Sequence, residues 1–240
     1  MSDLTIEQYR NEEYLNFEDP TVAKAQQAAI REVRTKFDQS HSLYVNGHWM
    51  KGDSGTFESV NPSNLSETIG TFQLASSTQA LSALDSAWKA FENWQFVPAQ
   101  KRADYLFTIA DIMKRRRLEI NAWMISEAGK NYLEADADTA EAIDFVRYYA
   151  YEALRMDKGM PVLSHNWGDH NKTIYMPIGA GVSISPWNFP FAIFVGMAIA
   201  PIAVGNTVVA KPAPDTPKMG YLMAEIVEEA GLPAGVFNFV

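Results

Sequence analysis

The chain has 240 residues, 47% of them hydrophobic and 12% aromatic, which is enough to build the core of one large or two smaller domains. A formal net charge of −9 argues against a general nucleic-acid surface, because phosphate binding draws on clustered Lys and Arg that displace counterions. With no cysteine, the sequence excludes disulfides, zinc–thiolate sites and thiol nucleophiles within this chain.

The first twenty residues are acidic and hold no continuous apolar stretch, so no secretory signal is recognisable and a cytoplasmic location is expected. Residues 1–40 read as a helical N-terminal arm, patterned most clearly over Ala23–Phe37. In Leu43–Met50 (LYVNGHWM) the Asn46-Gly47 pair lies between two short β-prone runs, the signature of a hairpin. Ser76 and Gln79 fit a capping box, and Leu81, Leu84, Trp88 and Phe91 recur on one face of a helix ending near Trp94. Pro98 suits the first turn of the next helix, whose apolar stripe of Leu106, Ile109 and Met113 runs until Gly129 interrupts it. The basic run Lys114–Arg117 inside that pattern reads as a solvated helix face. A further helix spans about Tyr132 to Leu154, and Glu134, Asp136 and Asp138 near its start complement the positive end of its dipole. Pro161–His165 and Thr173–Met176 flank a turn rich in Asn, Gly and Asp, which predicts a projecting β-hairpin over 160–178.

The last sixty residues alternate strand and helix: Gly181–Ser185, a buried helix over about 190–204, Thr207–Ala210, an amphipathic helix over about 217–230, and Val236–Val240. This βαβαβ order predicts an α/β fold with a parallel sheet covered by helices. The apolar run Phe189–Val204 is shorter than the roughly 20 residues a membrane span needs and contains Pro190 and Pro201, so no membrane association is expected.

Several constellations fail. Gly179-Ala180-Gly181 opens like a phosphate-binding fingerprint, but Ile184 occupies the third glycine slot, and neither a P-loop nor a G-x-S-x-G elbow occurs. His165 and His170 lie across a predicted turn without a third ligand in sequence, so no metal site is expected. Two stretches carry chemistry. Ser185-Pro186-Trp187-Asn188-Phe189-Pro190 follows a strand, where open α/β sheets place their ligand crevices. Asn188 can donate its amide to an oxygen that gains negative charge, or can cap the following helix. Lys211, ending the next strand, can reach ribose hydroxyls or phosphate, or can point at water. An amide donor and a lysine at adjacent strand ends, one helix apart, favour a shared ligand site.

SPWNFP followed by GNTVVAKP and GLPAGVFNFV resembles the aldehyde dehydrogenase superfamily, in the right order, with supporting matches at YVNGHW, VNPSN, AWKAFENW and EAGK. Within it, Glu127–Ala150 and the N-terminal arm are similar to 1-pyrroline-5-carboxylate (L-glutamate γ-semialdehyde) dehydrogenases. The resemblance implies oxidation of that aldehyde to glutamate with NAD in proline breakdown, by a cysteine thiolate that adds to the aldehyde before hydride leaves. It implies that Asn188 is the oxyanion donor, that Ser185, Trp187 and Lys211 contact the cofactor, that Phe189 walls the aldehyde pocket, and that Glu141 faces a substrate bearing an α-ammonium group. Pro214 stands where many NAD-dependent relatives carry a ribose-gripping glutamate, which leaves NADP open beside NAD.

The expectation is therefore an incomplete aldehyde dehydrogenase fold: arm 1–40, hairpin and helices of the cofactor domain 41–159, an association hairpin 160–178, and the first half of the dinucleotide-binding sheet 179–240. The thiolate and general base of the family lie outside this chain, so the chain alone is expected to be inactive. A small-molecule aldehyde is the expected partner, with homo-oligomers for the complete enzyme and a possible separate C-terminal catalytic half. Two alternatives stand beside this: a different semialdehyde, or a non-catalytic assembly half of a split enzyme.

Overall fold

A computed structural model of the chain describes residues 9–164 and 168–240. Helix α1 (Pro20–Arg34) starts where its local chemistry says: Pro20 sits in the first turn, where its missing N–H is no loss, and the Asp19 carboxylate accepts from Thr21 N–H. The stretch before it corrects the expectation of a helical arm, for residues 9–16 carry no helix. Its polar groups bond instead to helix α5 (Tyr132–Asp157), with Glu12 N–H donating to Asp144 at 2.7 Å and Leu15 N–H to Asp136 at 2.8 Å. A segment whose backbone donors are taken by another helix's carboxylates has no need of its own helical ladder.

After the short strand β1 (Gln39–His41), β2 (Leu43–Val45) and β3 (His48–Met50) form the expected hairpin. Asn46 and Gly47 both take positive φ, 53° and 75°, as the tight turn demands. Strands β4 (Thr56–Asn61) and β5 (Asn64–Gln73) pair antiparallel, and β1 joins β5 in parallel to make a three-stranded sheet ordered β1-β5-β4. Sequence pattern missed this pair because much of it is polar and exposed.

Helix α2 (Ser77–Trp94) has the expected capping box at Ser76 and Gln79. Its buried face differs: Ala83, Ala87 and Trp94 face inward, while Leu81 and Trp88 are 62% and 47% exposed. Strand β7 (Thr207–Lys211) lies too close for large side chains, with the Thr207 hydroxyl donating to the Ala87 carbonyl at 2.8 Å. The next pattern divides into α3 (Ala99–Arg115) and α4 (Arg117–Ala128), with Arg116 at φ −89°, ψ 9° between them. That break corrects half of the reading of Lys114–Arg117 as a solvated face, for Lys114 and Arg115 are exposed but the next two residues are not. Arg117 turns inward and forms a buried pair with Asp136 at 2.6 Å, and Arg116 is held by Glu119 and Glu225. Of the acids at the start of α5, Glu134 completes a capping box with Asn131, but Asp136 and Asp138 are buried in specific bonds rather than lying near the dipole as solvated charges.

Over residues 160–178 the expected hairpin shows no strand among the described residues, and His165 lies outside them. Asn171 does tie back, its N–H to Ser164 Oγ at 3.2 Å and its side-chain amide to the Leu163 carbonyl at 3.1 Å. A lone two-stranded ribbon is marginal in water, and Leu163, Ile174, Met176 and Ile178 find no core here, being 67–92% exposed.

The final segment has the expected alternation: β6 (Ala180–Ile184), α6 (Ala192–Ala203), β7, α7 (Pro217–Glu229) and β8 (Phe237–Phe239). β6, β7 and β8 are mutually parallel, and β2 closes on β8 antiparallel through Tyr44 and Phe239, giving the order β3-β2-β8-β7-β6. Helix α6 is apolar on nearly all sides because it is enclosed between the sheet and α5. A Cβ on Gly196 would stand 3.0 Å from the Phe145 ring, which explains the glycine at that crossing. No described helix is long and apolar enough to cross a membrane.

Candidate active site

Parallel pairing places the two motif-bearing strand ends side by side. Ile184 is in register with Lys211, and Ser185 N–H donates to the Lys211 carbonyl at 3.2 Å. The Ser185 side chain is buried and its hydroxyl has no hydrogen-bond partner among the described residues. A buried polar group left in that state costs about 1–3 kcal/mol, which a ligand's polar atom would recover. Lys211 donates from Nζ to the Pro212 carbonyl at 2.7 Å. It lines a cavity of about 250 Å³ together with Pro212, Pro214, Phe239, His41 and Phe72.

Beyond Ser185 the chain makes an exposed turn. Trp187 is 59% and Phe189 41% exposed, and Asn188 is also at the surface. Asn188 does not cap α6: the N-cap is Phe191, and no side chain of that residue serves the helix. The cap arrives from another helix. Asp138 on α5, completely buried, accepts from Ala192 N–H at 2.6 Å. Its second oxygen is 2.7 Å from Lys130 Nζ, and the same ammonium lies 4.5 Å from the centre of the Phe189 ring. Burial pushes the Asp138 carboxyl above the ordinary carboxylate range, opposed by Lys130 and the backbone donors.

Glu141 stands one turn along α5 from Asp138, on the same face. It is exposed at its outer side, and its carboxyl is pushed up first by partial desolvation and then by the Asp138 charge, with Lys130 pulling the other way. Thus Ser185 and Lys211 meet directly, Trp187, Asn188 and Phe189 form the turn that follows Ser185, Lys130 and Asp138 join that turn to α5, and Glu141 lies one turn further along that helix. Nothing in the residue spacing singles out Lys130 and Asp138. The available signal is Gly129-Lys130-Asn131, where a left-handed C-cap of α4 (φ 67°) and the N-cap of α5 leave Lys130 pinned between two helices.

This arrangement has known counterparts. Residues 49–240 match the model of the aldehyde dehydrogenase family. The chain belongs to the aldehyde dehydrogenase family. A 1-pyrroline-5-carboxylate dehydrogenase of Geobacillus thermodenitrificans is 43% identical over 235 residues, covering 98% of this chain and 45% of that protein. Among solved structures, a variant of the Thermus thermophilus 1-pyrroline-5-carboxylate dehydrogenase superposes with a TM-score of 0.95 at 44% identity, over 99% of this chain and 46% of its own. A 1-pyrroline-5-carboxylate dehydrogenase from Thermus with bound NAD gives 0.94 at 44% identity, with the same coverage of 99% and 46%. This aldehyde dehydrogenase chain therefore spans less than half the length of the relatives it matches.

Proposed function

We propose that the chain forms the amino-terminal part of an NAD(P)-dependent L-glutamate γ-semialdehyde dehydrogenase that oxidises the aldehyde to glutamate in proline breakdown. The observation that carries this reading is the pairing of Ser185 with Lys211 at the carboxyl edge of the parallel sheet, followed at once by the exposed Trp187-Asn188-Phe189 turn. Open parallel sheets bind dinucleotides at that edge.

The residues present fit a nicotinamide dinucleotide: the Ser185 hydroxyl, without a partner among the described residues, is a ready donor and acceptor, and Lys211 offers a cation in the lining of a mainly apolar cavity. Ser185, Trp187 and Lys211 would hold it, and when bound it supplies the hydride acceptor. Pro214 lines the same cavity and has no side-chain acceptor for ribose hydroxyls, so the site is open to a 2′-phosphate as well. Asn188 donates its side-chain amide to the aldehyde oxygen as that oxygen gains charge. Phe189 excludes water from one side of the aldehyde, and the Glu141 carboxylate attracts the substrate's α-ammonium group. The sequence contains no cysteine, so the thiolate of the family's chemistry has to come from outside these residues. Residues 160–178, with their exposed apolar side chains, suit a segment covered by another copy in a homo-oligomeric complete enzyme.

The test is to join this chain after Val240 to the C-terminal part of the Geobacillus thermodenitrificans relative, and to follow NADH formation with L-glutamate γ-semialdehyde and with succinate semialdehyde. The joined enzyme is expected to prefer the amino-acid aldehyde, and the 240-residue chain alone to produce no NADH. Turnover by the chain alone, or equal rates with the two aldehydes, would contradict the proposal.

A further inference from the structure

We propose that Lys130 and Asp138 are positioning residues that fix the Trp187-Asn188-Phe189 turn from the side of helix α5, so that the carbonyl-polarising amide and the aromatic wall move as one unit. This rests on the proposed function for its catalytic meaning, and on geometry alone for its structural meaning.

The turn needs an outside anchor. Its three side chains are exposed, and the helix that follows it begins without a side-chain cap of its own. The first turn of a helix presents N–H groups that have no intrahelical acceptor, and leaving one buried and unpaired is costly. Here Asp138 Oδ1 supplies the acceptor to Ala192 N–H at 2.6 Å, across the contact between α5 and α6. Phe191 and Ala192 are both completely buried, so water does not substitute easily for that carboxylate.

A buried carboxylate with backbone N–H donors alone would carry an uncompensated charge, and Lys130 supplies the compensation at 2.7 Å from Oδ2. The ammonium has a second contact, over the Phe189 ring at 4.5 Å, where the negative face of the aromatic quadrupole attracts it. One residue therefore holds the turn at Phe189 and, through Asp138, at Ala192. Asn188 lies between Phe189 and the strand end at Ser185, whose N–H donates to the Lys211 carbonyl, and inherits its position from those two points. Lys130 is itself confined, because it occupies the single link between the left-handed C-cap Gly129 and the N-cap Asn131.

Uniform labelling of the chain with 5-fluorotryptophan, with Trp187→Phe to assign its line, reports on the turn, and amide exchange at Ala192 reports on the anchor. Lys130→Met is expected to move the Trp187 line while the buried Trp94 and Trp123 lines stay in place. Lys130→Arg, which keeps a cation in reach of the carboxylate, is expected to restore it. Asp138→Asn keeps an acceptor for Ala192 and removes the charge, so it should move Trp187 without changing Ala192 exchange. Asp138→Ala should in addition speed that exchange by about tenfold or more. Should Asp138→Ala fail to fold, the other three variants carry the test.

In the joined enzyme, Lys130→Met is expected to lower kcat on the order of tenfold with NAD affinity unchanged, as misplacement of a catalytic donor does. An unmoved Trp187 line in folded Lys130→Met and Asp138→Asn, or displacement of all tryptophan lines together, would overturn the proposal. If the joined enzyme is inactive with every semialdehyde, the proposed function falls, while the fluorine lines and Ala192 exchange still decide the positioning role.

Discussion

Asp136 and Asp138 lie two residues apart on α5, both fully buried, and serve regions of opposite character. Asp136 is saturated: it accepts from Arg117 Nε at 2.7 Å and Nη2 at 2.6 Å, from Asn121 Nδ2 at 2.9 Å and from Leu15 N–H at 2.8 Å. The cluster continues inward, with the Thr139 hydroxyl donating to Asn121 Oδ1 at 2.6 Å. Asp138 anchors the end of the Ser185–Phe191 region, where the pattern reverses. Ser185 Oγ is buried without a partner among the described residues, and the polar and aromatic groups of the turn face outward. Satisfied polar groups in the first region lock helices and the N-terminal arm together. Unused hydrogen-bonding capacity in the second is what a ligand site requires.

Breaking the saturated region should have the larger structural effect. Arg117→Ala leaves the Asp136 charge buried without its main partner and is expected to cost about 3–5 kcal/mol in urea unfolding of the chain. It should also loosen residues 9–16, since Arg117 Nη1 donates to the Glu13 carbonyl at 2.9 Å. A loss below about 1 kcal/mol would place the cluster among ordinary surface ion pairs and erase the contrast.

His41 sharpens the comparison, because it too is buried and has Nε2 without a partner among the described residues, yet it is stacked on Phe72 at 4.7 Å in an apolar setting. Burial, helped by the Lys218 charge, pushes its pKa down from 6.5 to about 3. As pH falls below 6.5 the unfolded chain takes up this proton and the folded chain does not. The stability from keeping His41 neutral is therefore complete above pH 6.5 and is lost progressively toward pH 3. Between pH 6.5 and 5 the loss is about 2 kcal/mol. His41→Leu is expected to flatten that part of the pH–stability curve, whatever it costs in packing at neutral pH. An unchanged slope would mean that His41 titrates normally.

A smaller effect is expected at the cavity rim. Pro214→Glu would add a carboxylate that grips ribose hydroxyls and repels a 2′-phosphate. In the joined enzyme it should shift the NAD-to-NADP affinity ratio toward NAD about tenfold, or about 1.4 kcal/mol. No shift would mean that position 214 does not face the ribose.

Elements with local chemical signals were legible in the sequence. The capping box at Ser76, the Asn46-Gly47 turn and the alternating strands and helices after residue 179 each depend on residues a few positions apart. The placement of Ser185, Trp187, Asn188, Phe189 and Lys211 at or just after adjacent strand ends was legible in the same way, since they sit in two short motifs. Features that depend on distant partners were not legible. Tyr9 and Asp144, 135 residues apart, hold the arm extended, and the inward turn of Arg117 depends on Asp136 on another helix. The buried face of α2 was misread because the close approach of β7 selects alanines, a demand set by packing that hydrophobic spacing does not reveal. Lys130 and Asp138 escaped for the same reason, since their importance arises only where α5 meets α6.

Asn188→Ala tests the central contrast most directly, by two readouts on one variant. An exposed side chain outside the saturated clusters should leave urea stability of the chain within about 0.5 kcal/mol of the parent. Removal of an oxyanion donor should lower kcat of the joined enzyme with L-glutamate γ-semialdehyde by about 10²–10³-fold. Retention of kcat within a few-fold, or a stability loss comparable to that of Arg117→Ala, would contradict the assignment of this turn as the carbonyl-polarising site.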